Sequence, residues 1–160
     1  MNQNITYLGN KDLLNTPKIA FFAPSQIATL SVLKCYDWAI EMFNGGKCII
    51  SGFSSRMEKD VLHFLLKGRQ PIILVLSRRM YSVMPQEYIK PLEEGRLLII
   101  STSNETRQSK KNAFRRNCYI AEIADEIVFP SAPPDNSSLS TIYKMLQEEK
   151  KSISLLHTKE

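Results

Sequence analysis

The chain has 160 residues, of which 43% are hydrophobic and 23% charged, with a formal net charge of +5. This is an ordinary composition for a globular domain with a core of its own; it excludes a disordered tail and a disulfide scaffold. No apolar run approaches the roughly 20 residues that a membrane span needs.

Residues 1–5 have neither the basic start nor the apolar core of a secretory leader. Cys35, Cys48 and Cys118 are odd in number and far apart, as expected of free thiols in a reducing cytoplasm. With two histidines in the chain, no group has metal-ligand spacing. A cytoplasmic location, no metal and no cofactor are therefore expected.

Residues 5–8 predict a short edge strand or arm ended by Gly9-Asn10, so residues 1–17 form an N-terminal arm. Residues 18–23 are the first core strand. A helix follows over 27–44, where Ile27, Leu30, Leu33, Tyr36, Ile40 and Phe43 recur at helical spacing and are expected to face the sheet. Tyr36 and Trp38 read as core, and Gly45-Gly46 stops the helix. Residues 47–51 form a strand and 57–67 a helix, with Val61, Leu62, Leu65 and Leu66 inward and Gly68 as its cap. A strand over 71–76 leads to a short helix within 85–94, broken by Pro91, and then to a strand over 97–100.

Residues 102–112 are the longest polar segment and predict a flexible flap. A helix over 113–124, a strand over 126–130, a loop over 132–138, a helix over about 139–151 and a closing strand over 153–156 complete the chain. Short buried strands separated by helices imply one α/β layer sandwich around a mostly parallel sheet.

Five apolar runs end at a serine: Ser25, Ser51, Ser77, Ser101 and Ser131. Parallel sheets bind ligands beyond the carboxyl ends of their strands, so hydroxyls gather there beside Arg56, Arg78 and Arg79. This is the chemistry of a phosphate site. From Arg107 to Arg116 there are five basic residues and no acid, a stripe suited to nucleotides or nucleic-acid backbones and equally to a solvated loop.

In the turn Ser51-Gly-Phe-Ser-Ser-Arg-Met-Glu58, Gly52 permits close backbone approach and Ser54 and Ser55 offer donors. Arg56 adds a charge, and Glu58 complements the helix dipole. The same serines are also ordinary helix caps. Arg115 and Arg116 suit bidentate phosphate contact, and Asn117 a base or sugar; all three are also what an exposed helix start carries. Ser137 and Ser138, with Thr141 a turn on, are a cap first and a phosphate cradle second.

His63 has no cysteine or histidine partner nearby in sequence, and Asp12, Asp37 and Asp60 have no paired-carboxylate spacing. GxGxxG, the Walker loop and GxSxG are all missing, so dinucleotide, ordinary NTPase and α/β-hydrolase readings fall.

Taken in order, these motifs resemble the DNA-processing protein A (DprA/Smf) family. The resemblance runs roughly from Tyr7 to Ile142. Tyr7-Leu-Gly-Asn-Lys-Asp-Leu-Leu-Asn-Thr-Pro17 is similar to the family's approach to its first strand, and Ser51 to Glu58 stands where the family has SGxARGxD. Phe114-Arg-Arg-Asn117 with Ile120-Ala121 and Ala124-Asp125 resembles FxxRNRxIAxLSD, and Ser138-Leu-Ser-Thr141 resembles SGSLxTA. The resemblance implies a Rossmann-like three-layer sandwich, single-stranded DNA as ligand, self-association as a homodimer and a recombinase as partner.

Departures accompany it. Ala23-Pro-Ser-Gln26 replaces a glycine-serine-arginine turn, so Gln26 stands where a phosphate-binding arginine is expected. Ser55 takes the arginine place of the second motif, with Arg56 one residue late. The helical and winged-helix domains that usually flank this core do not fit in 160 residues. The PGGxGTxxE motif of related phosphoribohydrolases is absent.

Three functions follow from the sequence. The first is a non-enzymatic single-stranded nucleic-acid-binding domain, with Ser25, Gly52, Ser54, Ser55, Arg56, Glu58, Arg78, Arg115, Arg116, Asn117, Ser138 and Thr141 lining its anion site. The second is a nucleotide sensor or hydrolase that holds one nucleotide phosphate, with Glu58 as acid/base. The third is a protein-interaction module that has lost its ligand.

Overall fold

Every residue of three central strands is buried, the mark of strands covered on both faces by helices. The computed structural model describes residues 5–157; Met1 to Asn4 of the expected arm and leader reading lie outside the described residues. In chain order the strands are β1 (Thr6–Gly9), β2 (Lys18–Phe21), β3 (Cys48–Ser51), β4 (Ile72–Leu76), β5 (Leu97–Ser101), β6 (Glu126–Phe129) and β7 (Ile153–Leu155). The helices are α1 (Thr29–Phe43), α2 (Arg56–Leu65), α3 (Gln86–Glu93), α4 (Lys110–Ile123) and α5 (Ser140–Glu148), with a 3-10 turn at Lys11–Asn15. The sheet order is β1-β5-β4-β3-β2-β6-β7, and β1 alone pairs antiparallel. The fold is α/β and Rossmann-like, with a mostly parallel sheet.

Alternation along the strands builds two cores. Ile19, Phe21, Ile49, Ile72, Leu74, Leu97 and Ile99 pack with residues of α1, α2 and α3. Ala20, Phe22, Ile50, Ile73, Val75, Leu98 and Ile100 pack with residues of α4 and α5. From β2 the chain steps outward through β3 and β4 to β5, then returns to place β6 on the other side of β2. The direction of winding therefore reverses between β2 and β6, where such sheets open a crevice at their carboxyl edge.

Of the six residues expected to face the sheet, Ile27 and Phe43 pack on the core and the other four are turned away. On α1, Leu30, Leu33, Tyr36 and Ile40 are 60%, 53%, 44% and 50% exposed, while Ser31, Cys35, Trp38, Ala39 and Met42 are buried. Both sets have helical spacing, because α1 is apolar over most of its circumference. The sheet takes the set that mixes small residues with one large ring, and Trp38 stacks on Phe21 at a centroid distance of 4.9 Å. Trp38 is thus core and Tyr36 is not.

Boundaries also shift. The fourth helix starts at Lys110 instead of 113, because Ser109 Oγ accepts the Asn112 N–H at 3.1 Å and caps it. α3 runs through Pro91 to Glu93 without breaking, the proline being buried against the core. α5 stops at Glu148, and Lys150 adopts a left-handed φ of 58° just beyond.

Candidate nucleic-acid interface

Of the five strand-end serines, Ser131 is half-buried and lines none of the cavities at the crevice. Three are buried and tie loops together. Ser51 Oγ accepts the Phe53 N–H at 3.0 Å, Ser77 Oγ donates to Gln108 Oε1 at 2.8 Å, and Ser101 Oγ donates to the Arg78 and Ser103 carbonyls. Ser25 and Ser138 are exposed, and Ser54 and Ser55 half-buried, at the crevice itself.

Glu58 organises that crevice from within. Its buried carboxylate accepts the Ala23 N–H on Oε2 at 2.9 Å and the Ser54 and Ser55 N–H groups on Oε1 at 2.8 and 3.1 Å. Ser55 Oγ accepts the Glu58 N–H in return, completing a capping box at the start of α2. These turn N–H groups, which would otherwise cradle an anion, are satisfied internally. The turn offers ligands its hydroxyls.

Arg116 explains Gly52. A Cβ at Gly52 would collide with the Arg116 Nη1, Cζ and Nε atoms, so the glycine admits an arginine of the protein. The strained residue of the turn is the next one, Phe53, buried at a left-handed φ of 48°. Arg116 is 3% exposed; its Nε donates to Asn117 Oδ1 at 2.8 Å and its Nη1 to the Val75 carbonyl at 3.3 Å. Burial lowers its pKa, while the Glu58 carboxylate opposes that shift. Because Oδ1 of Asn117 is engaged, its NH2 group is the end that can donate to a ligand.

The polar segment after β5 is tied down at several points. Thr102 Oγ1 donates to the Leu76 carbonyl at 2.8 Å, and the Arg79 N–H donates to the Glu105 carbonyl at 2.8 Å. Gln108 bridges two strand ends, accepting from Ser77 and donating through Nε2 to Ser54 Oγ at 3.0 Å.

Three cavities open around this framework. One of about 160 Å³ brings together Ser25, Ser54, Ser55, Glu58, Arg116, Asn117 and Ser138 at the switch between β2 and β6. Beside it a cavity of about 540 Å³ shares Ser25, Asn117 and Ser138 and adds Phe114, Lys110 and Gln108. A third, of about 510 Å³, lies between α2 and α3 and includes Gly52, Ser54, Arg78 and Arg116. Arg56, Arg115 and Thr141 are exposed and line none of these three.

Phe114 is the residue that sequence reasoning left out of the site, whereas Lys110 belonged to the basic stripe from Arg107 to Arg116. Phe114 is 38% exposed at the mouth of the larger crevice cavity. An aromatic immediately before two arginines at a helix start was the available signal. Among the described residues no group of three histidines, cysteines or acids could hold a metal, and no helix is long and apolar enough to cross a membrane.

The family model for DNA recombination-mediator protein A matches residues 3–158. The chain belongs to that family. Two solved structures share its fold. DNA processing protein A from Helicobacter pylori, described for its single-stranded DNA binding mode, is 20% identical with a TM-score of 0.72, over 95% of this chain and 71% of that one. The Streptococcus pneumoniae protein is 18% identical with a TM-score of 0.73, over 93% of this chain and 53% of that one. More distantly, the Moco Carrier Protein of Chlamydomonas is 14% identical with a TM-score of 0.53, over 90% and 77% of the two chains. No curated protein matches the chain.

Proposed function

We propose that this chain binds single-stranded DNA, without catalysing a reaction on it, along the crevice where β2 and β6 diverge. The observation that carries the proposal is the 540 Å³ cavity. It sets the exposed ring of Phe114 beside Lys110, Asn117 and the hydroxyl-bearing Ser25, Ser137 and Ser138. An aromatic face takes a base, cations and hydroxyls take the backbone, and neither demands a particular sequence. Arg115, Lys111 and Arg107, exposed on the same stretch of chain, add phosphate attraction from outside. Family membership and the fold shared with the Helicobacter pylori protein support the choice of ligand. Gln26, exposed beside Ser25, leaves this turn without a cation, so the α4 side of the crevice carries the charge. The buried carboxylate of Glu58, engaged by three N–H groups, acts as a structural anchor and not as an acid or base.

The test is fluorescence anisotropy of labelled oligo-dT across a salt series. Affinity should fall steeply with salt, and Phe114→Ala should weaken it by about tenfold, the scale of losing one stacked base. Salt-independent affinity, or full affinity in Phe114→Ala, overturns the proposal.

One observation favours a second reading, self-association. The exposed stripe Leu30, Leu33, Tyr36 and Ile40 is an apolar surface of the kind that marks protein contacts. Lys34 and Glu41, seven residues apart, share one flank of it, so two copies of α1 related by a twofold axis and antiparallel would pair them reciprocally. Light scattering of the purified protein should give a dimer that Leu33→Glu dissociates; a wild-type monomer refutes this.

A further inference from the structure

We infer that the cavity between α2 and α3 is a second binding site, separate from the β2/β6 crevice, for a nucleobase carrying its phosphate. Its volume of about 510 Å³ falls within the range of small-ligand pockets. Leu62, Leu74 and Leu76 supply an apolar lining on which a flat ring can lie. Tyr81 adds an aromatic wall, with the Arg78 guanidinium stacked over its ring at 4.7 Å. A ring of the same kind can pack against either group.

The charges select the rest of the ligand. Lys59, Arg78 and the inner Arg116 line a cavity to which Glu87 contributes the one acid. That carboxylate is already engaged, accepting from His63 Nδ1 at 2.7 Å. The cations are therefore left in excess, which favours an anion, and their position beside an apolar and aromatic lining favours an anion attached to a ring. A nucleotide has this make-up. An acidic peptide lacks the ring, and an uncharged aromatic makes no use of Lys59 and Arg78.

The two sites stand back to back. Gln108 lines both this cavity and the 540 Å³ one, and Arg116 lines both this cavity and the 160 Å³ one. A free mononucleotide and one residue of a longer strand present the same chemistry, and the experiment separates them.

Thymidine 5′-monophosphate, thymidine and oligo-dT are titrated separately into the isotope-labelled full chain, followed by NMR. The monophosphate should shift the resonances of His63, Tyr81 and Tyr88, and thymidine should bind at least about tenfold more weakly. Lys59→Glu and Arg78→Gln, both on side chains outside the core, should each weaken by about tenfold the monophosphate binding read at His63, Tyr81 and Tyr88. Shifts at the same residues with oligo-dT and none with the monophosphate support the site and assign it to a nucleotide within a strand. Shifts confined to Phe114, Asn117 and Ser138, or none with either ligand at millimolar concentration, overturn the inference. Loss of oligo-dT binding in Phe114→Ala reports on the β2/β6 crevice alone, so the two proposals fail independently.

Discussion

Glu58 joins two strand ends, reaching 35 residues back along the chain: its Oε2 accepts the Ala23 N–H at 2.9 Å while its Oε1 holds the Ser54 and Ser55 N–H groups. The turn after β2 and the turn after β3 are thereby fixed to one carboxylate, and the walls of the crevice keep their spacing. Glu58→Gln preserves the shape but presents an NH2 group to N–H donors. It should cost about 2 kcal/mol, the scale of leaving a buried donor unsatisfied. Urea unfolding checks this, with the midpoint lowered and the slope unchanged.

Arg115 and Arg116 are adjacent and should respond oppositely. Arg115 is exposed, so Arg115→Ala should leave stability unchanged and reduce the salt slope of oligo-dT binding by about 0.7, the value for one phosphate contact on a single strand. Arg116 is buried against Val75 and Asn117, so Arg116→Ala should cost about 3 kcal/mol, as for breaking a buried charged network. Thermal melts and anisotropy on the two single variants separate the effects, which a double variant would merge.

Gly52→Ala tests the same packing from the other side. The added methyl occupies the space of the Arg116 guanidinium and should displace it, with a loss of about 1–3 kcal/mol typical of overpacking. Paired with Arg116→Ala, the second substitution should cost much less than it does alone, since the obstacle is gone. Additive losses in the double-mutant cycle would refute the close approach.

The three cysteines should differ in reactivity. Burial pushes the Cys35 thiol up to about 12 and the Cys48 thiol up to about 11, and raises Cys118 as well, but Cys118 is only half-buried. A thiol reagent at pH 8 should label Cys118 slowly and the other two only on unfolding. Peptide mapping after a timed labelling pulse gives the order directly.

Asp125 carries a pH dependence. Its carboxyl is held below the usual range, first by the Lys18 backbone N–H it accepts at 2.8 Å, and also by the Lys18 ammonium at 3.5 Å; slight desolvation opposes both. A depressed carboxyl stabilises the fold fully above its unfolded value, about pH 4, and loses that contribution as pH falls through the folded value. Asp125→Asn should therefore be less stable than wild type at pH 7, with the difference shrinking below about pH 4. Urea midpoints for both proteins at pH 7 and pH 3 provide the comparison.

By itself the sequence determined the strands, the mostly parallel α/β layering and the family. Runs such as residues 72–76 and 97–100 are apolar throughout, and only strands covered on both faces satisfy that pattern. The tertiary structure decided what periodicity leaves degenerate. α1 carries two apolar stripes, and the sheet chose the one whose Trp38 reaches Phe21. Ser54, Ser55 and Glu58 form a phosphate-binding motif on paper, yet the carboxylate, three residues into the helix that Ser55 caps, takes the turn N–H groups itself. Arg116 was indistinguishable from Arg115 until the missing Cβ of Gly52 gave it somewhere to go. Local pattern fixes which residues are apolar or charged, but partners separated by tens of residues decide which of those charges remain free for a ligand.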